Sequence, residues 1–211
     1  MQLRMIARRV PSGSITVLGD LAQATGPWTY AHWGEIRAHL PETAPSHHDE
    51  LTLGYRAPGK VLDFASRLLP VAAPGISPTA SIRRGRSEPV DRTVEAGALG
   101  AAALAEARTL SEEHALVAVI TPEELTQALT HLARRDLEVG VLERDGMTRT
   151  ITIVPARAVK GLEFDAVVVV EPSSIAGEDQ RGLRLLYVAM TRPIQHLSIV
   201  RAGPLPQPLL D

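Results

Sequence analysis

Asp165-Ala166-Val167-Val168-Val169-Val170 is the stretch of sequence that decides the fold. Its valines follow one another without alternating polar residues, which is typical of a strand covered by helices on both faces. Leu116 to Ile120 (LVAVI) has the same continuous apolar character. Two buried strands separated by helical sequence predict an α/β fold with a mostly parallel sheet.

Further helices and strands surround these two runs. We predict strands at residues 14–18, 50–53, 150–154 and 196–201, and helices at 2–9, up to about 40, from 58, at 93–113, from 121 and at 183–191. The helix after the LVAVI strand should begin at Thr121-Pro122 with Thr121 as its N-cap. Pro41 to Asp49 is polar and proline-punctuated, which indicates a linker.

Composition excludes several classes of protein. The 211 residues are 45% hydrophobic and 22% charged, with a net charge of −2, so the chain is not a polycation of the histone kind. No cysteine is present, which excludes disulfides, thiolate catalysis and cysteine-bound zinc. The absence of a signal peptide pattern and of a long apolar run predicts a cytoplasmic protein without membrane contact. The run His47-His48-Asp49-Glu50 resembles a metal cluster in composition only, and we expect no metal site there.

Lysine usage indicates that the phosphate-binding loop of ATPases is missing. The 22 basic residues comprise 20 arginines and only Lys60 and Lys160. Gly59-Lys60 is the only Gly-Lys pair, and Val61 stands where a Walker A motif requires Ser or Thr. A dinucleotide-binding Gly-x-Gly-x-x-Gly turn is also absent.

Four polar clusters follow predicted strands or end a predicted helix. They are Gly19–Gln23, Gly54–Arg56, Arg157–Glu163 and Thr191-Arg192. In parallel sheets, ligands bind at the carboxyl ends of the strands, so we expect these clusters to meet there. Arginine forks match phosphate oxygens and a tyrosine ring can stack on a base, so the set predicts a nucleotide bound from one side.

These clusters resemble, in the same order, four motifs of superfamily 1 helicases of the UvrD/Rep type. The matching stretches are residues 19–23 (GDLAQ, motif III), 53–57 (LGYRA, motif IV), 159–165 (VKGLEFD, motif V) and 186–192 (LYVAMTR, motif VI). The agreement is nearly complete in motifs V and VI. The resemblance covers about residues 1–201, with 70–149 matched by spacing alone.

The resemblance implies a RecA-like fold of the P-loop NTPase type and an incomplete motor. Residues 1–45 would be the C-terminal remnant of the first RecA-like domain plus a linker, and 46–211 would be the second RecA-like domain. The missing N-terminal motor domain would carry Walker A and Walker B. ATP with Mg²⁺ would therefore bind only in the complete motor, and the chain alone should not hydrolyse ATP.

The same resemblance implies three catalytic side chains. Arg56 and Arg192 would reach the γ-phosphate as arginine fingers, and Gln23 would sense that phosphate and couple it to domain closure. Asp20 is expected to support the turn that carries Gln23. Lys160 would be either structural or directed toward the nucleic acid strand.

Three further residues would contact the rest of the nucleotide. Tyr55 would stack on the base, Glu163 would accept a hydrogen bond from the ribose, and Gly161 would allow close approach of the backbone.

The working partner is left open by the sequence. Single-stranded DNA is the expected substrate, and Trp28, Tyr30 and Trp33 could stack on its bases, although they are more often core or interface anchors. Arg83-Arg84 and Arg86 could contact a phosphate backbone, although a solvated loop is the simpler interpretation. Motif IV has glycine and alanine where the family usually has Asn and Ser, and such altered strand-facing positions suit the HelD branch, which acts on RNA polymerase. A non-catalytic interaction module on the same fold is the remaining alternative.

Overall fold

The structure is a computed structural model that describes residues 2–10, 12–30, 32–40, 45–83, 85, 88–134 and 136–210. The strands are β1 (Leu53–Gly54), β2 (Ala80–Ser81), β3 (Val90–Thr93), β4 (Val117–Thr121), β5 (Val139–Val141), β6 (Ile151–Pro155), β7 (Phe164–Val170) and β8 (Pro193–Arg201). The α-helices are α1 (Gln2–Arg8), α2 (Trp33–Arg37), α3 (Gly59–Ser66), α4 (Leu69–Ala72), α5 (Leu99–Ser111), α6 (Glu123–Ala133), α7 (Leu142–Asp145), α8 (Pro172–Ala176) and α9 (Gln180–Met190).

Six of the strands form one parallel sheet in the order β3-β8-β7-β4-β6-β5. The two apolar runs that predict the fold are the central strands β7 and β4, which pair with each other. All five residues of β4 are buried. The predicted α/β architecture with a parallel, helix-covered sheet is therefore confirmed.

Alternate residues of the central strands feed two separate hydrophobic cores. Val167 and Val169 of β7 belong to the core that α3, α4 and α9 cover. Ala166 and Val168 belong to the opposite core, which α5 and α6 cover. Because side chains alternate across a strand, every residue of β7 from Ala166 to Val170 faces one core or the other and must be apolar.

Helix α9 carries motif VI and begins at a side-chain cap. The Asp179 side chain accepts a hydrogen bond from the Gly182 backbone N–H at 2.7 Å. Gly182 lies against the Ala176 carbonyl so closely that an added Cβ would overlap it, so only glycine fits at this helix contact. The cap and the close contact fix the start of α9 against α8.

Several predicted elements differ in the structure. Ser14 to Leu18 pairs with no other segment among the described residues and forms no strand. The strand predicted at 50–53 forms only at β1, which pairs in parallel with β2. Thr121 remains in β4 and Pro122 takes the N-cap position of α6, so the predicted N-cap was wrong. The Thr121 hydroxyl instead bonds the Thr126 hydroxyl at 2.7 Å, which satisfies it inside the fold.

The short strands β3 and β5 were not predicted. Val90 to Thr93 forms β3, and the helix predicted from Thr93 begins at Leu99 instead. All four residues of β3 are exposed at the sheet edge, so they show no apolar pattern. Of the predicted linker, residues 41–44 lie outside the described part, and 45–49 form neither helix nor strand. The predicted division at residues 45 and 46 stays a prediction.

None of the helices in the described part of the chain has the length and apolar composition needed to span a lipid bilayer.

Two histidine rings stack, that of His114 in the loop before β4 and that of His196 in β8. The His114 and His196 ring centroids are 6.3 Å apart with an angle of 26° between the planes. Burial, and next the neighbouring His114, lower the pKa of His196, while Glu106 and Glu113 act in the opposite direction. The folded state therefore favours a neutral His196 more than the unfolded state does.

We expect the free energy of unfolding to decrease as the pH falls through the window just below about 6.5, the usual pKa of histidine. In that window the unfolded chain binds a proton at position 196 that the folded chain does not, so acid favours unfolding. The slope from one proton is at most about 1.4 kcal/mol per pH unit. Urea denaturation at a series of pH values measures it, and His196→Gln should remove this contribution.

His47→Gln is the matched control, because His47 is exposed in the segment before β1. It should keep the pH dependence of the parent chain. A pH profile of His196→Gln that equals that of the parent would contradict the assignment.

Candidate functional site

The predicted site residues gather where β7 and β8 begin. Glu163 directly precedes β7, and Arg192 directly precedes β8. The Phe164 backbone N–H donates to the Arg192 carbonyl oxygen at 3.3 Å and ties the two strand starts together. Glu163 and Arg192 therefore lie at the amino ends of these strands, where carboxyl ends were expected, whereas Tyr55 and Arg56 do follow the carboxyl end of β1.

The connection from β6 to β7 explains this position. Pro155, the last residue of β6, is in register with Thr121, the last residue of β4. Strand β7 instead begins two residues before Ala166, which is in register with Val117, the first residue of β4. The chain must return along the sheet between the two strands. Lys160 to Glu163 therefore reach the edge of the sheet opposite to the carboxyl end of β6.

Arg157 stays at the carboxyl edge and does not join the other arginines. Its guanidinium pairs with Glu123 at 2.9 Å and with Glu143 at 3.1 Å. Both carboxylates follow carboxyl ends of strands, β4 and β5. The polar cluster predicted at Arg157–Glu163 is thus divided between two edges of the sheet.

Arg56 and Glu163 form an ion pair in the site. One Arg56 Nη lies 2.7 Å from the Glu163 carboxylate, and the two side chains are 41% and 47% exposed. The Arg56 Nε is buried and finds no acceptor among the described residues. The guanidinium is therefore paired through one Nη, whereas its buried Nε–H has no acceptor in the described chain.

Arg192 is buried beside this pair, with only 4% of its surface exposed. Its Nε donates to the Val188 carbonyl at 2.9 Å, and its Nη2 lies 3.5 Å from the Gln23 side-chain oxygen. Burial, and next the positive charge of Arg56, lower the pKa of Arg192. Glu163 acts in the opposite direction. The two guanidinium groups are therefore close enough to repel each other.

Gln23 is held from both ends of its amide. Asp20 caps the short 3-10 turn Leu21–Gln23 by accepting from the Ala22 backbone N–H at 2.9 Å. The other Asp20 oxygen accepts from the Gln23 Nε2 at 2.7 Å. This leaves the amide oxygen of Gln23 directed toward Arg192, and Asp20 supports the turn as expected.

Tyr55 directly precedes Arg56 in the chain, and Gly161 lies two residues before Glu163. The Tyr55 side chain is 70% exposed, so its ring is available to a ligand. Gly161 has a φ of +85°, a conformation that favours glycine, and no atom lies within 4 Å of the position of a Cβ. The space beside the Gly161 backbone is therefore free.

Tyr187, on α9, does not act as a base in this site. Burial, and next the charge of Asp20, raise the pKa of Tyr187 to about 12. Its hydroxyl stays protonated at neutral pH.

The loop between β1 and α3 has the glycine spacing of a Walker A motif, because Gly54 stands five residues before Gly59. Its backbone differs from a phosphate cradle. Pro58 has no N–H, and the Gly59 N–H donates to the Arg83 carbonyl at 2.7 Å. The Lys60 ammonium pairs with Glu88 at 2.6 Å. The amides and the lysine that would hold phosphate are thus engaged within the chain.

The remaining predicted candidates lie outside this cluster. Trp28 is almost fully exposed, Tyr30 packs edge-on against His39, and Trp33 packs against His48. Arg83 is exposed, and its Nη1 donates to the Arg56 carbonyl at 3.1 Å; Arg84 and Arg86 lie outside the described residues. Within the described ranges, no three His, Cys, Asp or Glu side chains are arranged to hold a metal ion.

Two arginines of α9 that contact the Gln23 turn were not predicted. Arg181 donates to the Thr25 carbonyl at 2.7 Å, and Arg184 lies 3.4 Å from the Ala24 carbonyl. Both precede the motif VI stretch that the sequence singles out. Their partners are backbone carbonyls, which leave no mark in the sequence.

Comparison with known protein families finds a match within the C-terminal part of the chain. Residues 150–200 match the family model of the UvrD-like helicase C-terminal domain. This span contains Gly161, Glu163 and Arg192, and leaves out Gln23, Tyr55 and Arg56. No curated protein matches the chain.

A solved structure shows the same fold. The C-terminal domain of a possible DNA helicase from Lactobacillus plantarum WCFS1 superimposes with a TM-score of 0.57 at 24% identity, covering 74% of this chain and 92% of that one. The expected resemblance to UvrD-type helicases is therefore confirmed by sequence over residues 150–200, and most of the chain shares the fold of this solved domain.

Proposed function

We propose that this chain is the C-terminal motor domain of an ATP-dependent DNA helicase or translocase. In this proposal Arg56 and Arg192 complete an ATP site whose other half an N-terminal motor domain provides. The observation that carries the proposal is the buried guanidinium of Arg192, which lies 3.5 Å from the Gln23 amide oxygen and experiences the charges of Arg56 and of Glu163, the ion-pair partner of Arg56.

The electrostatics of Arg56 and Arg192 favour an anionic ligand. Two adjacent positive charges, one of them buried, disfavour each other until a negative group lies between them. The buried Arg56 Nε also lacks an acceptor in the described chain, and buried donors are nearly always hydrogen-bonded. Phosphate oxygens match the planar fork of arginine and would satisfy both requirements.

The chain offers no phosphate cradle of its own in its β1–α3 loop, which supports the proposal that a second domain completes the site. The β1–α3 loop has its Gly59 amide and Lys60 engaged with Arg83 and Glu88, so no phosphate cradle is available from it. The Lys160 ammonium is also engaged, with the Gln23 carbonyl at 2.8 Å. The phosphates of ATP and its Mg²⁺ would therefore be held by the N-terminal domain. The β-rich stretch Ser14 to Leu18, unpaired within the described chain, fits a strand that joins a sheet of that domain.

In this proposal each predicted site residue contacts a different part of the nucleotide. Tyr55 presents an exposed ring to a base, and Glu163 offers a carboxylate oxygen to a ribose hydroxyl. The open space beside Gly161 admits the nucleotide close to the backbone. Gln23 and Arg192 would face the γ-phosphate together. In such sites an arginine accelerates hydrolysis because it stabilises charge that develops in the transition state.

Replacement of Arg56 tests the proposal. In the full-length protein, with a Walker A domain ahead of this chain, Arg56→Ala should lower the kcat of ATP hydrolysis by about 10³-fold and leave the Kd for ATP within a few-fold. The 211-residue chain alone should show no turnover. Arg157→Ala is the matched control, because Arg157 is exposed at the opposite edge of the sheet and should leave turnover unchanged.

Two results would contradict this assignment. One is a tenfold or greater loss of ATP affinity in Arg56→Ala with normal turnover. The other is ATP hydrolysis by the isolated chain that Arg192→Ala abolishes.

RNA polymerase is the second candidate for the working partner. The altered residues Gly54 and Ala57 of motif IV favour it, whereas the fully accessible ring of Trp28 favours single-stranded DNA. ATPase assays of the full-length protein with single-stranded DNA or with core RNA polymerase discriminate between them. The partner that stimulates turnover is the working one, and stimulation by neither favours a non-catalytic interaction module.

A further inference from the structure

Three cationic side chains donate to the carbonyl oxygens of three consecutive residues. Lys160 donates to the Gln23 carbonyl at 2.8 Å, and Arg181 donates to the Thr25 carbonyl at 2.7 Å. Arg184 reaches the carbonyl of the residue between them, Ala24, at 3.4 Å. The partners are far apart in sequence, so these bonds join two separate parts of the chain.

Arg184 is the buried centre of this arrangement. Only 8% of its surface is exposed, and its Nε donates to the Ala72 carbonyl at the end of α4 at 2.7 Å. A buried charge is tolerated only when it is compensated by hydrogen bonds, and backbone carbonyls supply them here. The guanidinium therefore links α4, α9 and the Gln23 turn.

The donors belong to the elements that carry the candidate site. Arg181 and Arg184 lie on α9, which ends one residue before Thr191-Arg192, and Lys160 lies in the turn that leads to Glu163. Ala22, in the capped turn, packs in the same hydrophobic core as the apolar side of α9. Polar and apolar contacts together dock the turn onto α9.

We propose that Lys160, Arg181 and Arg184 form a carbonyl clamp that fixes Gln23 opposite Arg192. They are positioning residues: they hold the turn, and the turn presents the Gln23 amide. This inference rests on the proposed ATP site, because it makes Gln23 and Arg192 move as one body during turnover. Since the clamp binds carbonyls, it does not depend on the side chains of Ala24 and Thr25.

Amide hydrogen exchange of the whole 211-residue chain tests the docking directly. The double variant Lys160→Met and Arg181→Met removes two exposed donors and keeps the buried Arg184, so that the fold is retained. The amides of Gln23, Ala24 and Thr25, bonded within the turn, should then exchange at least about tenfold faster, while those of β4 and β7 are unchanged.

Trp28 and Trp33 provide a second signal, because they are the only tryptophans of the chain and both follow the clamped turn. Their fluorescence anisotropy should decrease in the double variant. Arg157→Ala is the control for a lost surface arginine, and Lys160→Arg should preserve the docked state. Unchanged exchange and anisotropy in the double variant would overturn the clamp, whatever the ATPase activity of the parent protein.

The positioning role is tested separately in the full-length protein. The double variant should lower kcat at least about tenfold with an unchanged Kd for ATP, and Lys160→Arg should restore turnover relative to Lys160→Met. Faster exchange together with normal kcat would overturn the positioning role. If the parent protein hydrolyses no ATP, the proposed function fails while the exchange data still decide whether the clamp exists.

Discussion

Replacing Arg192 with alanine is expected to lower ATP turnover of the full-length protein by about 10³-fold or more, with nucleotide affinity largely intact. A loss of that size corresponds to about 4 kcal/mol of transition-state stabilisation. The expectation follows from the position of the guanidinium, which is buried, lies near Arg56 and faces the Gln23 amide. Charge–charge interactions are strongest where water is excluded. Single-turnover kinetics and nucleotide binding measured on the same variant separate chemistry from affinity.

Arg192→Lys sharpens this test. Lysine keeps the charge but cannot bond the Val188 carbonyl and a ligand with one planar fork, so it should restore little of the lost turnover. Circular dichroism verifies that each variant is folded, and Arg157→Ala controls for the removal of an arginine. Full activity of Arg192→Lys would mean that charge alone matters and would contradict the finger geometry.

Phe164→Ala is expected to destabilise the domain by about 3–5 kcal/mol. Phe164 is the first residue of β7, and only 1% of it is exposed within the core that α9 covers. Truncation removes buried apolar area and leaves a cavity between the central sheet and α9. The Arg192 carbonyl keeps its bond to the residue 164 amide, so the loss measures packing.

Urea denaturation with a free fit of the m-value measures this effect. Tyr55→Ala is the matched aromatic control, because its side chain is 70% exposed and its removal should change stability by less than about 0.5 kcal/mol. Equal effects of the two substitutions would contradict the assigned packing of Phe164.

The central sheet could be predicted because burial leaves a direct mark on sequence. β4 and β7 are apolar at nearly every position, so DAVVVV and LVAVI identify them without further information. β3 lies at the edge with all its side chains exposed, and its residues VDRT give no such mark. Ser14 to Leu18 has strand-forming residues but no strand beside it within the described chain, so local preference alone does not make a strand.

The candidate site was predictable to the extent that motif order specified it. Arg56 and Glu163, about a hundred residues apart, form an ion pair, and Gln23 approaches Arg192. Which edge of the sheet carries Glu163 and Arg192 was not predictable, because the path of the chain between β6 and β7 depends on tertiary packing. Arg184 was missed for a related reason: its acceptors are carbonyls, which every residue carries.

The exposed strand β3 has a consequence for the solution behaviour of the protein. It ends the sheet on one side, where unpaired amides could recruit another chain. Asp91 is held by Arg201 at 2.8 Å, and Arg92 by Glu106 at 3.0 Å, so the border carries fixed charges of both signs. Charged borders of this kind oppose strand addition between molecules. The β3 edge is thereby disfavoured as a site where another molecule adds a strand.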